Sequence, residues 1–129
     1  MPTESGGRVL ILEDDPGVGR VIDKVATAGG YDARVVTQSD QFFAALKEWQ
    51  PTHIVLDLLM LDMDGIRILA ELGALKCTAK IIITTGMGIQ VLDAAGRAAH
   101  EHALHVVGLL AKPFSSSALR ALLALPPTQ

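Results

Sequence analysis

Short, uninterrupted apolar runs alternating with amphipathic stretches constrain this chain more than any other feature. Val9-Leu10-Ile11-Leu12, Ile54-Val55-Leu56 and Ile81-Ile82-Ile83 have strand length and no polar face. That is the pattern of strands covered by helices on both sides of a parallel sheet. Tyr31 to Val36 and His105 to Ala111 complete a predicted set of five strands. Between the strands, apolar residues recur at helical spacing. Asp15 reads as an N-cap with Pro16 at the first helical position, ahead of Val18, Val21, Ile22, Val25 and Ala28, and Gly29-Gly30 supplies the stop. Ser39 is expected to cap a second helix carrying Phe42, Phe43, Leu46 and Trp49, which Pro51 ends. Ile66, Leu69, Ala70 and Leu72 mark a short third helix ending near Gly73, and Ile89 to Ala103 an alanine-rich fourth. Ser115 or Ser116 opens a fifth, with Leu119, Leu122 and Leu123 facing inward.

Short connections and right-handed crossovers turn this alternation into a doubly wound α/β fold, a five-stranded parallel sheet flanked by five helices. Five strands are too few for an eight-stranded barrel. A length of 129 residues suits one domain, with expected loose ends at 1–7 and 126–129 and a folded unit at 8–125. A hydrophobic content of 50% excludes disorder, and a net charge of −3 argues against direct nucleic-acid binding. Cys77 is the single cysteine, which excludes an intrachain disulfide and a multi-cysteine zinc site and suits a reducing cytoplasm. No apolar run approaches the roughly 20 residues of a membrane span, and the start of the chain lacks signal character, so no membrane association is expected.

In open α/β sheets, ligands bind beyond the carboxyl ends of the strands. The first, third, fourth and fifth strands end at Glu13-Asp14, Asp57, Thr85 and Lys112, so these side chains are expected to converge. Carboxylates held together repel unless a cation or a proton is present. Magnesium takes oxygen ligands, keeps several waters and commonly uses one or two carboxylates, which matches Asp14 and Asp57, with Glu13 reaching through water. Beside such an ion, Asp57 can act as a nucleophile towards phosphorus while Lys112 neutralises the equatorial oxygens. Thr85 offers a hydroxyl to a phosphoryl oxygen, and it is preferred to Thr84 because Thr84 should pleat to the opposite side. Gly86 leaves room for a phosphodonor.

These residues resemble the receiver domains of two-component response regulators over nearly the whole chain. The likeness is carried by the acidic pair Glu13-Asp14, the acceptor position Asp57, the hydroxyl at Thr85, Lys112-Pro113, and the spacing of Asp57-Leu-Leu-Met-Leu-Asp-Met-Asp-Gly65. It implies a flavodoxin-like strand order of 2-1-3-4-5, a further magnesium ligand from the backbone carbonyl of Leu59, and a cis Lys112-Pro113 peptide. It also implies phosphoryl supply from a histidine kinase or histidine phosphotransfer protein. Output is expected through the surface of the fourth helix, fifth strand and fifth helix, with a homodimer permitted. Such a protein catalyses its own phosphorylation and dephosphorylation without being a conventional turnover enzyme. The segment Val106 to Phe114 further resembles receivers attached to cyclic-di-GMP phosphodiesterase domains.

Some positions depart from the family pattern. Leu61 stands where the loop usually has proline, Leu109 replaces the usual aromatic residue three places before the lysine, and Gly86 to Leu104 makes a long crossover. Leu59 and Met87 would flank the site without polar side-chain atoms, so a phosphorylated Asp57 is expected to be fairly long-lived. Two other readings compete: a receiver-like module that signals by docking without phosphorylation, and an aspartyl-phosphate phosphatase suggested by Asp62-Met63-Asp64-Gly65, which resembles the Asp-x-Asp motif of haloacid-dehalogenase enzymes. His100, His102 and His105 read as solvated, Phe42, Phe43 and Trp49 as packing residues, and Cys77 as an idle thiol.

Overall fold

The computed structural model describes residues 7–58, 65–86 and 89–125. Leu59, Leu61, Asp62, Asp64, Met87 and the chain ends at 1–6 and 126–129, all of which carry expectations above, lie outside the described residues. Strands β1 (Arg8–Leu12), β2 (Asp32–Val36), β3 (His53–Asp57), β4 (Lys80–Thr85) and β5 (His105–Ala111) alternate with helices α1 (Pro16–Ala28), α2 (Ser39–Trp49), α3 (Gly65–Ala74), α4 (Ile89–Glu101) and α5 (Ser116–Leu123). The sheet is parallel throughout in the order β2-β1-β3-β4-β5, as expected.

The central strands are apolar on both faces because both faces are covered. Leu10, Leu12, Ile54, Leu56, Ile81 and Ile83 pack with Phe42, Ile68, Leu69, Leu72 and Ala95 of α2, α3 and α4. Val9, Ile11, Val55 and Ile82 point the other way, onto Ile22, Val25, Leu119 and Leu123 of α1 and α5. From β1 the chain steps outward to β2, then returns past β1 to β3, so the strand order reverses between β1 and β3. The crevice of a doubly wound sheet opens there, at the carboxyl ends.

Local chemistry sets the helix ends. Asp15 Oδ1 accepts from the N–H groups of Gly17 and Val18 at 2.9 and 3.3 Å, with Pro16 opening α1. Ser115 Oγ accepts from Ala118 N–H at 3.0 Å. The second helix differs from expectation: Ser39 is its first residue and is buried, and the N-cap Gln38 makes no side-chain cap bond. At the start of the chain, Asp32 N–H donates to the carbonyl of Gly7 at 2.9 Å, so Gly7 belongs with the sheet and not with a loose end. On the outer edge, β5 carries one extra residue, Val107, between the pairs Ile81 with Val106 and Ile82 with Gly108. A Cβ at Gly108 would run into the side chain of Leu122, so glycine makes room for α5 against this strand. Among the described residues, no helix is long and apolar enough to cross a membrane.

At the base of the sheet, His53 is only 5% exposed. Its Nε2–H donates to the Leu123 carbonyl at 3.1 Å, and the neutral ring's Nδ1 lies 2.8 Å from the Thr52 hydroxyl. Tyr31 O–H donates to the same carbonyl at 2.9 Å, and its ring meets His53 edge-on at 5.1 Å. Burial, reinforced by the charge on Lys80, holds the imidazole below its ordinary range. The unfolded chain therefore takes up this proton first as pH falls, and His53 lowers stability below about pH 6.5, by up to about 1.4 kcal/mol per pH unit. Urea unfolding at pH 7.5, 6.0 and 5.0 (roughly, bracketing that range) is expected to show a shallower acid loss of stability in His53→Gln than in the parent.

Candidate functional site

The register brings the chemistry-bearing residues to one edge. Leu12 pairs with Leu56, so Glu13 leaves β1 level with Asp57, the last residue of β3. The ladder continues past the strand ends: Glu13 N–H donates to Val36 O at 3.1 Å, Leu58 N–H to Thr84 O at 3.0 Å, and Lys112 N–H to Thr85 O at 2.8 Å. Backbone bonds to a neighbouring strand thereby fix the chain at Glu13, beside Asp57, and at Lys112. The Lys112-Pro113 peptide is cis, as the resemblance implies.

Glu13, Asp14 and Asp57 form an acidic cluster whose nearest carboxylate oxygens all lie within 4.8 Å of one another. Glu13 and Asp57 are buried, and Asp14 is half-buried. Lys112 Nζ reaches both buried carboxylates, at 2.8 Å from Glu13 Oε1 and 3.2 Å from Asp57 Oδ2. The other Glu13 oxygen accepts from Asp15 N–H at 3.2 Å. Burial pushes the Glu13 carboxyl up to about 7, with Asp57 adding to the rise and Lys112 and the Asp15 N–H opposing it. For Lys112, burial acts to lower the ammonium, but the hydrogen bonds and charges of Glu13 and Asp57 outweigh it and hold the group above its ordinary range. Three carboxylates against one ammonium leave an excess of negative charge in a site made wholly of oxygen donors, which suits a hard divalent cation.

Thr84 and Thr85 are both fully buried. Asp57 pairs in register with Thr84, so the pleat puts Thr84 on the same face of the sheet as Asp57, and Thr85 on the face of Leu56 and Ile83. The pleating reason for preferring Thr85 is therefore not met. What distinguishes Thr85 is its position one residue nearer the edge, with its carbonyl bonded to the Lys112 backbone. Sequence reasoning also missed the Glu13–Lys112 ion pair. Its signal was present in the adjacency of the first and third strands, which sets Glu13 level with Asp57. The Leu59 carbonyl and Met87 lie outside the described residues, and so do Asp62 and Asp64 of the phosphatase reading. His100, His102 and His105 are exposed.

Residues 9–124 match the family described as response regulator receiver domain. The chain belongs to that family. Among its relatives, the receiver is 31% identical over 88 residues to the chemotaxis protein CheY of Thermotoga maritima, a match covering 67% of this chain and 73% of that protein. It is also 31% identical over 67 residues to the DNA-binding response regulator MtrA of Mycolicibacterium smegmatis, covering 52% of this chain but only 29% of that longer protein. The signal receiver domain of a putative Luxo repressor protein from Vibrio parahaemolyticus has the same fold, with a TM-score of 0.81 at 22% identity, covering 92% of this chain and 88% of that one. Phosphorylation on aspartate is the general function of the family, and its members bind magnesium at an acidic pocket.

The electrostatics of the cluster generate a test that needs no ligand. Asp57 faces two carboxylates and shares one ammonium with Glu13, so neutralising it relieves more repulsion than the attraction it forfeits. Asp57→Asn is expected to stabilise the receiver by on the order of 1 kcal/mol in the absence of divalent cations, measured as a raised urea midpoint at unchanged slope.

Proposed function

We propose that Asp57 is the phosphoryl acceptor of this receiver, with Asp14 and Asp57 as direct magnesium ligands, Glu13 acting through water and the Leu59 carbonyl completing the set. The observation that carries the reading is Lys112 Nζ seated 3.2 Å from Asp57 Oδ2 and 2.8 Å from Glu13 Oε1, a cation already positioned at the carboxylate that would attack phosphorus. In the transfer, an Asp57 carboxylate oxygen forms a bond to phosphorus as the bond from phosphorus to the donor breaks. An acyl phosphate on Asp57 results. Lys112 holds the transferred group's charge, and Thr85 donates its hydroxyl to a phosphoryl oxygen. Bound magnesium supplies positive charge to the phosphoryl oxygens and template geometry for in-line displacement.

The donor in this reading is a phosphohistidine on a histidine kinase or phosphotransfer protein, and the setting is the cytoplasm. Phosphorylation changes affinity for a downstream effector at the surface of α4, β5 and α5, where a second copy could also bind. There the edge strand exposes Leu109 beside Gly96, within a shallow depression that also includes Asp93, Arg97, His100 and Glu101. With leucine at this position, the switch proceeds without an inward-swinging aromatic ring. Self-catalysed loss of the acyl phosphate would return the receiver to its resting state. A link to cyclic-di-GMP phosphodiesterase domains rests on the likeness of Val106 to Phe114 alone.

Incubation with acetyl phosphate and magnesium is expected to add the mass of one phosphoryl group to the intact protein. The gain should vanish in Asp57→Asn and on chelating the metal. In Lys112→Ala the rate should fall by roughly two orders of magnitude, the usual consequence of removing a charge-stabilising donor. A null result under forcing donor concentrations would favour the reading as a docking module, and hydrolysis of phosphate esters dependent on Asp62 the reading as a phosphatase.

A further inference from the structure

At the end of the sheet opposite the acidic cluster, a groove of about 910 Å³ lies between the carboxyl ends of α2 and α3 and the starts of β1 and β4. Its charge balance runs against that of the chain. Arg8, Lys47, Lys76 and Lys80 line it against the single carboxylate Glu71, whereas the whole chain has 14 acidic residues to 11 basic ones. Arg8 is already committed to the carbonyls of Trp49 and Gln50, and Lys80 donates to the carbonyl of Leu125 at 3.3 Å. Lys47 and Lys76 are exposed and have no side-chain partner among the described residues. Leu75, next to Lys76 in the chain, is 60% exposed, the most exposed large apolar side chain among the described residues, and Phe43, Leu46 and Ala79 extend the apolar lining.

The backbone decides which anion such a groove can hold. Phosphate is captured where several free N–H groups converge, as at a helix N-terminus. Here two helices end, and most of the lining N–H groups outside them, those of Thr52, Leu75, Lys76, Cys77 and Lys80, are donated to carbonyls within the fold, which leaves no converging set. Pro51 has none. The remaining cations belong to different elements, Lys47 to α2 and Lys76 to the turn after α3, and they border the apolar lining, a mixed surface that suits an acidic segment carrying an apolar side chain. We propose that this groove docks an acidic segment of a partner protein, with an apolar side chain of that segment seated on Leu75 and Leu46 and flanking carboxylates meeting Lys47 and Lys76.

The test uses the full chain and a fluorescein-labelled peptide of sequence Glu-Glu-Leu-Phe-Glu-Glu, beside a counterpart with Gln at every Glu. Anisotropy is expected to report binding of the acidic peptide at low salt that fades towards about 0.5 M NaCl. Amide shifts in the ¹⁵N spectrum should cluster between Phe43 and Thr52 and between Glu71 and Lys80. The double variant Lys47→Glu, Lys76→Glu should weaken binding about tenfold. Leu75→Ser, which leaves the charge unchanged, should weaken it as well and guards against a folding defect in the double variant. Equal binding of the Gln peptide, indifference to both variants, or shifts elsewhere on the surface would overturn the proposal. So would adenosine monophosphate moving these amides where the acidic peptide does not.

Discussion

The site depends on a single ammonium shared by two buried carboxylates. Glu13 and Asp57 are brought side by side by the pairing of β1 with β3, and neither is exposed enough for water to screen the repulsion. Lys112, arriving from the far side of the sheet after β5, offsets part of that repulsion and leaves the rest for a cation. This division of labour makes the cluster a receptive site in place of a closed salt bridge. A second lysine would have cut the excess of three carboxylates to a single negative charge, and loss of the first would raise the Glu13 carboxyl further still.

How the polypeptide delivers these groups follows from the sheet. Helices on both faces require apolar strands, and apolar strands can release polar side chains only at their ends. Glu13, Asp57 and Lys112 therefore sit immediately beyond the last apolar residue of a strand, or at its final position, each braced by a backbone bond from the ladder. The same logic applies at the other end of the sheet, where His53 enters β3 under the cover of Tyr31 and the end of α5. There a buried ring is satisfied by a carbonyl and a hydroxyl.

Much of this was legible in the residues. The uninterrupted runs around Leu10, Val55 and Ile82 required a two-sided parallel sheet, and the Asp15-Pro16 pair marked the start of α1 to the residue. Convergence of Glu13, Asp14, Asp57 and Lys112 followed from the strand ends. Ser39 misled because a serine before an apolar helix satisfies capping preferences equally well whether it stands outside the helix or, as here, inside the first turn. The choice between Thr84 and Thr85 turned on register, which depends on how β3 and β4 align and is not written in either strand. The basic groove was invisible for a related reason. Arg8, Lys47, Lys76 and Lys80 are scattered along the chain and meet only once α2 and α3 end above the starts of β1 and β4.

The missing side chain at Gly108 has a mechanical consequence. Leu122 fills the volume in which any other residue would carry its first carbon, so a side chain at this position would have to displace that leucine for the last helix to keep its place on the outermost strand. The absent methyl is therefore a steric allowance at the rim of the sheet, one that even alanine would withdraw.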